Sequence, residues 1–264
     1  MDIADEIRRC VVFLLYQSGS DERLAGTGFF VGMPAGNGAE SDGSVVRGYL
    51  VTASHVLEEI RARAANPEVI VRLNKIGVGT GSIMLPIDRW ESAPDADVAL
   101  IQLAPPPEEY DFRLVPFDWF VTAETRQGWA IGPGDEVFIT GLFANHVGRQ
   151  KNIPIVRVGN IAAMPEEPVE HAFGSQPAYL IEARSTGGLS GSPVFFHGGS
   201  VRVDPSTGEY RALKKPHYGL LGIAVGHWAA PAGASSSFAG EPVNMGIAIV
   251  TPVEELINLI ASSS

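Results

Sequence analysis

From Cys10 to Val250 the apolar residues of this chain fall in short runs, each closed within a few residues by Gly, Pro, Asn, Asp or Ser. A chain punctuated in this way has little room for long helices. The runs are rich in Val, Ile, Phe and Tyr: CVVFLLY (10–16), GFFVG (28–32), GYLVTA (48–53), VIVRLN (69–74), SIMLPI (82–87) and DVALIQL (97–103) in the first half. EVFITGL (136–142), IPIVRVGNIAAM (153–164), AYLIEA (178–183), SPVFF (192–196), YGLLGIAVG (218–226) and NMGIAIV (244–250) follow in the second. Branched and aromatic side chains suit a pleated, half-buried surface. Many short strands at fairly even spacing point to paired barrels or a sandwich. The punctuation is visible in composition: Gly 30 and Pro 19 make up close to a fifth of 264 residues, against roughly 12% in ordinary domains. Two helices interrupt the pattern. HVLEEIRARAA (55–65) sets Val56, Ile60 and Ala64 on one face, and the closing PVEELINLIASSS sets Val253, Leu256, Ile257 and Ile260 at helical spacing. Three consecutive prolines at 105–107 favour an extended connection between the halves.

A formal net charge of −11 argues against a partner such as nucleic acid or an anionic membrane, which attract Lys/Arg excess. Cys10 is the one cysteine, so no intrachain disulfide forms, which points to a reducing compartment. The start, MDIADEIRRC, has acids where a signal peptide has a basic region, and no apolar run approaches a membrane span. A cytoplasmic protein is the expectation.

Three segments carry chemistry. His55 follows a strand ending in small residues (YLVTASHVL), Asp97 opens an apolar strand (PDADVALIQL), and Ser190 lies in a tight run of Gly and Ser (STGGLSGSPVF). A serine hydroxyl needs a base to take its proton as it attacks. Imidazole suits that work near neutral pH. A carboxylate on the other ring nitrogen fixes the tautomer and stabilises the imidazolium. The developing oxyanion needs preorganised donors, and the main-chain N–H groups of Gly188 and Ser190 are the candidates. Asp95 competes with Asp97 and Ser192 with Ser190; Asp97 is favoured because it abuts the strand, and Ser190 because of the Gly-x-Ser-Gly spacing, which leaves Ser192 as a turn hydroxyl. His146, His171, His197, His217 and His227 show no metal-ligand spacing, so neither metal nor cofactor is expected.

These segments resemble the chymotrypsin-fold, or trypsin-like, serine peptidases, and most closely their disulfide-poor bacterial branch, with glutamyl-endopeptidase-like and HtrA-like members. GTGFFVG is similar to the family's strand ahead of the histidine; TASH, DVAL and GLSGSP are similar to the motifs around its base, its orienting carboxylate and its nucleophile. The order His, Asp, Ser is the chymotrypsin-like one, and GLSGS fails the G-x-S-x-G elbow of the α/β-hydrolases. The resemblance implies an all-β fold: two antiparallel six-stranded barrels, at 1–108 and 112–264, with the terminal helix packed on the second. It implies peptide-bond hydrolysis through an acyl-enzyme, with His55, Asp97 and Ser190 as the catalytic triad and a protein or peptide as substrate. The substrate pocket it implies is read by Arg184 and walled by Ala224 and Gly226. Ala224 stands where glutamyl-specific members carry a histidine, and Leu189 stands where many animal members carry an aspartate that receives a newly cut N-terminus. That activation switch is therefore excluded. Two rival readings share the fold: a catalytically weak or inactive binding module, and a peptidase held latent until a separate regulatory protein or a ligand aligns the site.

Overall fold

A computed structural model describes residues 5–34, 46–171, 174–183, 188–199, 201–203, 207–212, 218–230 and 243–263. After a single-turn helix α1 (Glu6–Arg9) come β1 (Val11–Ser18), β2 (Asp21–Pro34) and β3 (Val46–Thr52), then helix α2 (Ser54–Arg63). The first half continues with β4 (Glu68–Asn74), β5 (Thr80–Pro86), β6 (Glu91–Ser92), β7 (Ala99–Gln102) and β8 (Val115–Pro116). Helix α3 (Ala123–Trp129) leads into β9 (Glu136–Gly141), β10 (Ile155–Ala163), β11 (Pro168–His171), β12 (Gly174–Pro177) and β13 (Tyr179–Glu182). The last strands are β14 (Ser192–His197), β15 (Val201–Val203), β16 (Tyr210–Ala212), β17 (Tyr218–Ala230) and β18 (Val243–Pro252), before helix α4 (Val253–Ser262).

The second half closes as expected into a six-stranded barrel in the cyclic order β10-β13-β18-β17-β14-β9. The first half is different from the closed barrel expected of it. Its eight strands run β5-β4-β1-β2-β3-β7-β6, with β8 paired to β2, and the path does not close among the described residues. The reason lies between the two edges. β5 ends at Pro86, a single 3-10 turn spans Ile87–Arg89, and β6 begins at Glu91 with only two residues, both exposed. The chain joins edge to edge through that turn, so the sheet curls round without a hydrogen-bonded seam. None of the described helices is long and apolar enough to cross a membrane.

Period-2 alternation decides which core each second-half residue joins. Val137 and Ile139 of β9 and Val194 and Phe196 of β14 fill the barrel. Phe138 and Phe195, which point the other way, join the larger core built on the first sheet. On β17 a register shift opposite Val194/Phe195 breaks the alternation, so that Leu220 joins the larger core together with Ile223 and Val225. Six residues, Val11 to Tyr16, are all buried, the signature of a strand covered on both faces. On α4 the buried stripe is Val253, Leu256, Leu259 and Ile260, so Leu259 rather than Ile257 completes it. Cys10 is fully buried and donates its Sγ–H to the Ile7 carbonyl, and burial holds its thiol well above the usual range. Residues 109–116 hydrogen-bond to the first half, through Asp111 N–H to Asn74, Arg113 N–H to Arg9 and the β2–β8 pairing. The first bond to a second-half strand is Val121 N–H to Leu220 O.

Candidate active site

The site is assembled at the end of β3. There the small residues Ala53 and Ser54 let α2 start at once, with Ala53 as an N-cap that offers no side-chain acceptor. The first N–H groups of any helix lack intrahelical partners. One of them, His55 N–H, donates to Asp97 Oδ1 at 3.0 Å, so the carboxylate caps the helix from another segment. The other oxygen, Asp97 Oδ2, lies 2.6 Å from His55 Nδ1. Both oxygens therefore bond to one residue, which fixes the imidazole's rotation and directs Nε2 away from the carboxylate. The pair is well shielded: the side chains of His55 and Asp97 are 11% and 4% exposed. Asp97 is held on its other side by its main-chain N–H, which donates to Gln176 Oε1 at 2.8 Å. Ser54 Oγ donates to the Val98 carbonyl at 2.9 Å and pins the strand start. Asp95, the competing carboxylate, is exposed.

Ser190 comes from the second half, in the turn between Gly188 and Gly191. Gly188 and Gly191 have φ of +95° and +82°, in the left-handed region that disfavours side chains. Ser190 O accepts from Thr27 N–H at 2.9 Å, and Gly191 N–H donates to Ala224 O at 2.8 Å. Thr27 binds the turn a second time, its hydroxyl donating to Gly188 O at 2.8 Å while accepting from Leu142 N–H at 2.8 Å. Thr52 Oγ1 in turn donates to Thr27 O at 2.8 Å. Thr27 and Thr52 are fully buried. The turn lies directly on the strand end that delivers His55: a Cβ on Gly191 would sit 2.1 Å from Thr27 O, 2.3 Å from Thr52 Oγ1 and 3.2 Å from Ala53 N.

Ser192, read from sequence as a turn hydroxyl, is instead the fully buried first residue of β14. Its Oγ has no hydrogen-bond partner among the described residues and fills the space beside Gly141, where a Cβ would come within 1.9 Å of it. A hydroxyl packed this way cannot reach a substrate. Leu189 is 2% exposed and packs in the second-half core, so the position is filled by an apolar anchor. Ala224 is also buried in that core, opposite Ser192 in the β14–β17 ladder, and Gly226 lies further along β17, half-buried and opposite Ile249. Arg184 lies outside the described residues.

A cleft of about 680 Å³ opens beside the dyad, lined by His55, Asp97, Glu58, Asp95, Ser175 and Gln176 among others. Ser175 and Gln176 belong to the β11–β12 hairpin, which sequence reading missed. Its strands are four residues each and polar, with Pro168 and Pro177 at the ends, and they carry no apolar alternation. His171 on the same hairpin titrates below its usual range, chiefly through burial; Asp97 opposes that shift and His55 adds to it.

Around this geometry the fold is similar to that of a solved protease domain. The MamO protease domain from Magnetospirillum magneticum superposes with a TM-score of 0.54 at 17% identity, over 96% of this chain and 97% of that one. The inactive form of a serine-to-alanine mutant of Rv3671c from M. tuberculosis H37Rv matches at 15% identity with a TM-score of 0.48, over 97% and 88% of the respective chains. No protein-family model matches the chain, and no curated protein does.

Proposed function

We propose that this protein is a serine endopeptidase that cleaves a protein or peptide substrate through an acyl-enzyme. Ser190 Oγ attacks the scissile carbonyl carbon as His55 Nε2 takes its proton, and the carbonyl oxygen becomes an oxyanion held by the N–H groups of Gly188 and Ser190. The tetrahedral intermediate collapses, the C–N bond breaks, and the imidazolium returns the proton to the leaving amine. Water then repeats the sequence on the ester, releasing the acid and restoring the serine. Asp97 stays ionised and orients the imidazole. Nothing in these steps calls for a metal or cofactor. Ala224 and Gly226 would wall the pocket for the substrate side chain, and Arg184 would read it.

The observation that carries the reading is the His55–Asp97 pair, bonded twice and shielded from water, beside a turn whose glycine conformations suit a nucleophile with paired main-chain donors. A structural histidine–carboxylate pair would not call for a close-packed Gly-x-Ser-Gly turn on the same strand end. The test is covalent labelling by a fluorophosphonate probe. Wild type should label and Ser190→Ala should not. A folded wild type that stays unlabelled, alone and with cell lysate added, overturns the proposal in favour of a binding module. Labelling that appears only with lysate identifies the latent form of the peptidase.

A further inference from the structure

Gln176 links parts of the chain that no strand pairing joins among the described residues. It is 4% exposed and sits on β12, in a two-stranded sheet that, among the described residues, shares no ladder with the sheet of either half. Its Oε1 accepts the Asp97 N–H at 2.8 Å, and its Nε2 donates to Thr251 Oγ1 at 3.0 Å. Thr251 is fully buried on β18 of the closed barrel. The carboxamide therefore spans from the second half to the main chain of the carboxylate in the first. A hairpin of two short strands is marginal by itself, so its seat depends on contacts such as these. Gly174 and Ser175 of the same hairpin line one cleft with His55 and Asp97, which sets the hairpin against the dyad.

The side-chain chemistry explains why glutamine suits this position. The Asp97 N–H needs an acceptor, and the Thr251 hydroxyl can accept from a donor; an amide supplies both from one planar group. An ionised Glu would put a second buried negative charge beside Asp97, and an apolar residue would leave the N–H unpaired. We propose that Gln176 is a positioning residue: by holding the Asp97 main chain it sets the carboxylate that orients His55, so that the closed barrel fixes the geometry of the base as well as that of the nucleophile. This rests on the peptidase reading above. Gln176 touches no reacting atom and acts through Asp97 alone.

The experiment measures fluorophosphonate inactivation of the full chain as a rate constant at saturation and a separate half-saturation concentration, with circular dichroism to establish the folded fraction. Gln176→Met, close in volume but without an acceptor, should lower the saturating rate per folded molecule about 10–100-fold, as expected for a reacting group displaced by up to ~1 Å, and leave half-saturation unchanged. Thr251→Val, which frees only the far end of the amide, should lower the rate about threefold. A Gln176→Met variant that is folded and reacts within twofold of wild type overturns the inference. If that variant does not fold, an unchanged rate in Thr251→Val overturns it instead. Either result is distinct from failure of the peptidase reading, in which wild type itself would not react.

Discussion

Gly191→Ala tests the close approach of the two halves at its tightest point. The methyl carbon would lie 2.1 Å from Thr27 O and 2.3 Å from Thr52 Oγ1. Ordinary C···O contacts are roughly 3.3–3.6 Å, so each oxygen must retreat by about 1 Å. Neither can do so alone, because Thr27 also holds Ser190 O, Gly188 O and Leu142 N–H. Overpacking of this kind costs about 1–3 kcal/mol. A φ of +82° adds about 1–2 kcal/mol for a residue with a Cβ. A total near 3–4 kcal/mol corresponds to a fall in Tm of about 10 °C for a chain of this size. Gly199→Ala provides the control: its φ is +64°, but nothing lies within 4 Å of the added carbon. Only the conformational part remains, and the fall should be about 2–8 °C. Scanning calorimetry of both variants beside wild type separates the two contributions. A Gly191→Ala variant that melts no lower than Gly199→Ala would refute the argument that the nucleophile turn is jammed against the histidine strand. Fluorophosphonate reaction of the folded Gly191→Ala protein should also slow by about 100-fold, the effect of an ångström of misplacement.

Asp97→Asn should leave the fold intact and slow fluorophosphonate reaction by about 10⁴-fold, since an amide in that place favours the wrong imidazole tautomer. Arg126 donates to Tyr179 OH and to Glu254 Oε1, both at 2.6 Å, and so ties α3 to α4; Arg126→Met should cost about 2 kcal/mol and lower Tm by about 4–8 °C. The folded protein disfavours protonated His171, whose ordinary value is 6.5. The unfolded chain therefore binds more protons as pH falls below that value, and the histidine's contribution to stability is lost there. Urea unfolding between pH 7 and 5 should show a smaller stability loss in His171→Gln than in wild type; equal losses would contradict the assigned direction. Cys10, buried and shifted upward from 9.0, should resist a thiol reagent at pH 8 in the native protein and react at once in denaturant.

The candidate triplet could be picked out because each member carries a local signature: small residues before His55, an apolar strand after Asp97, and glycines around Ser190. What joins them was not. Thr27 reads as an ordinary strand residue, yet its partners lie 115 and 161 positions away, and no local pattern encodes such pairings. Gln176 is hidden for the same reason, 79 positions from Asp97 in a hairpin too polar to show alternation. Strand positions could be read from β-branched runs, but closure of a sheet depends on its edges. β6, two residues long, falls below what any periodicity can register, so the first half was expected to close like the second.

The larger hydrophobic core does not respect the division of the chain. Phe138, Phe195 and Leu220, all fully buried, leave the closed barrel to pack with Val31, Leu50 and Ile101 of the first sheet. Each half, alone, would present a broad apolar face to water. The peptide connection near the exposed Pro106–Glu108 segment then contributes little beyond keeping the two pieces at high local concentration. A backbone cut there should give two fragments that find each other and restore the cleft, so that fragment complementation becomes a means of switching the site on by mixing.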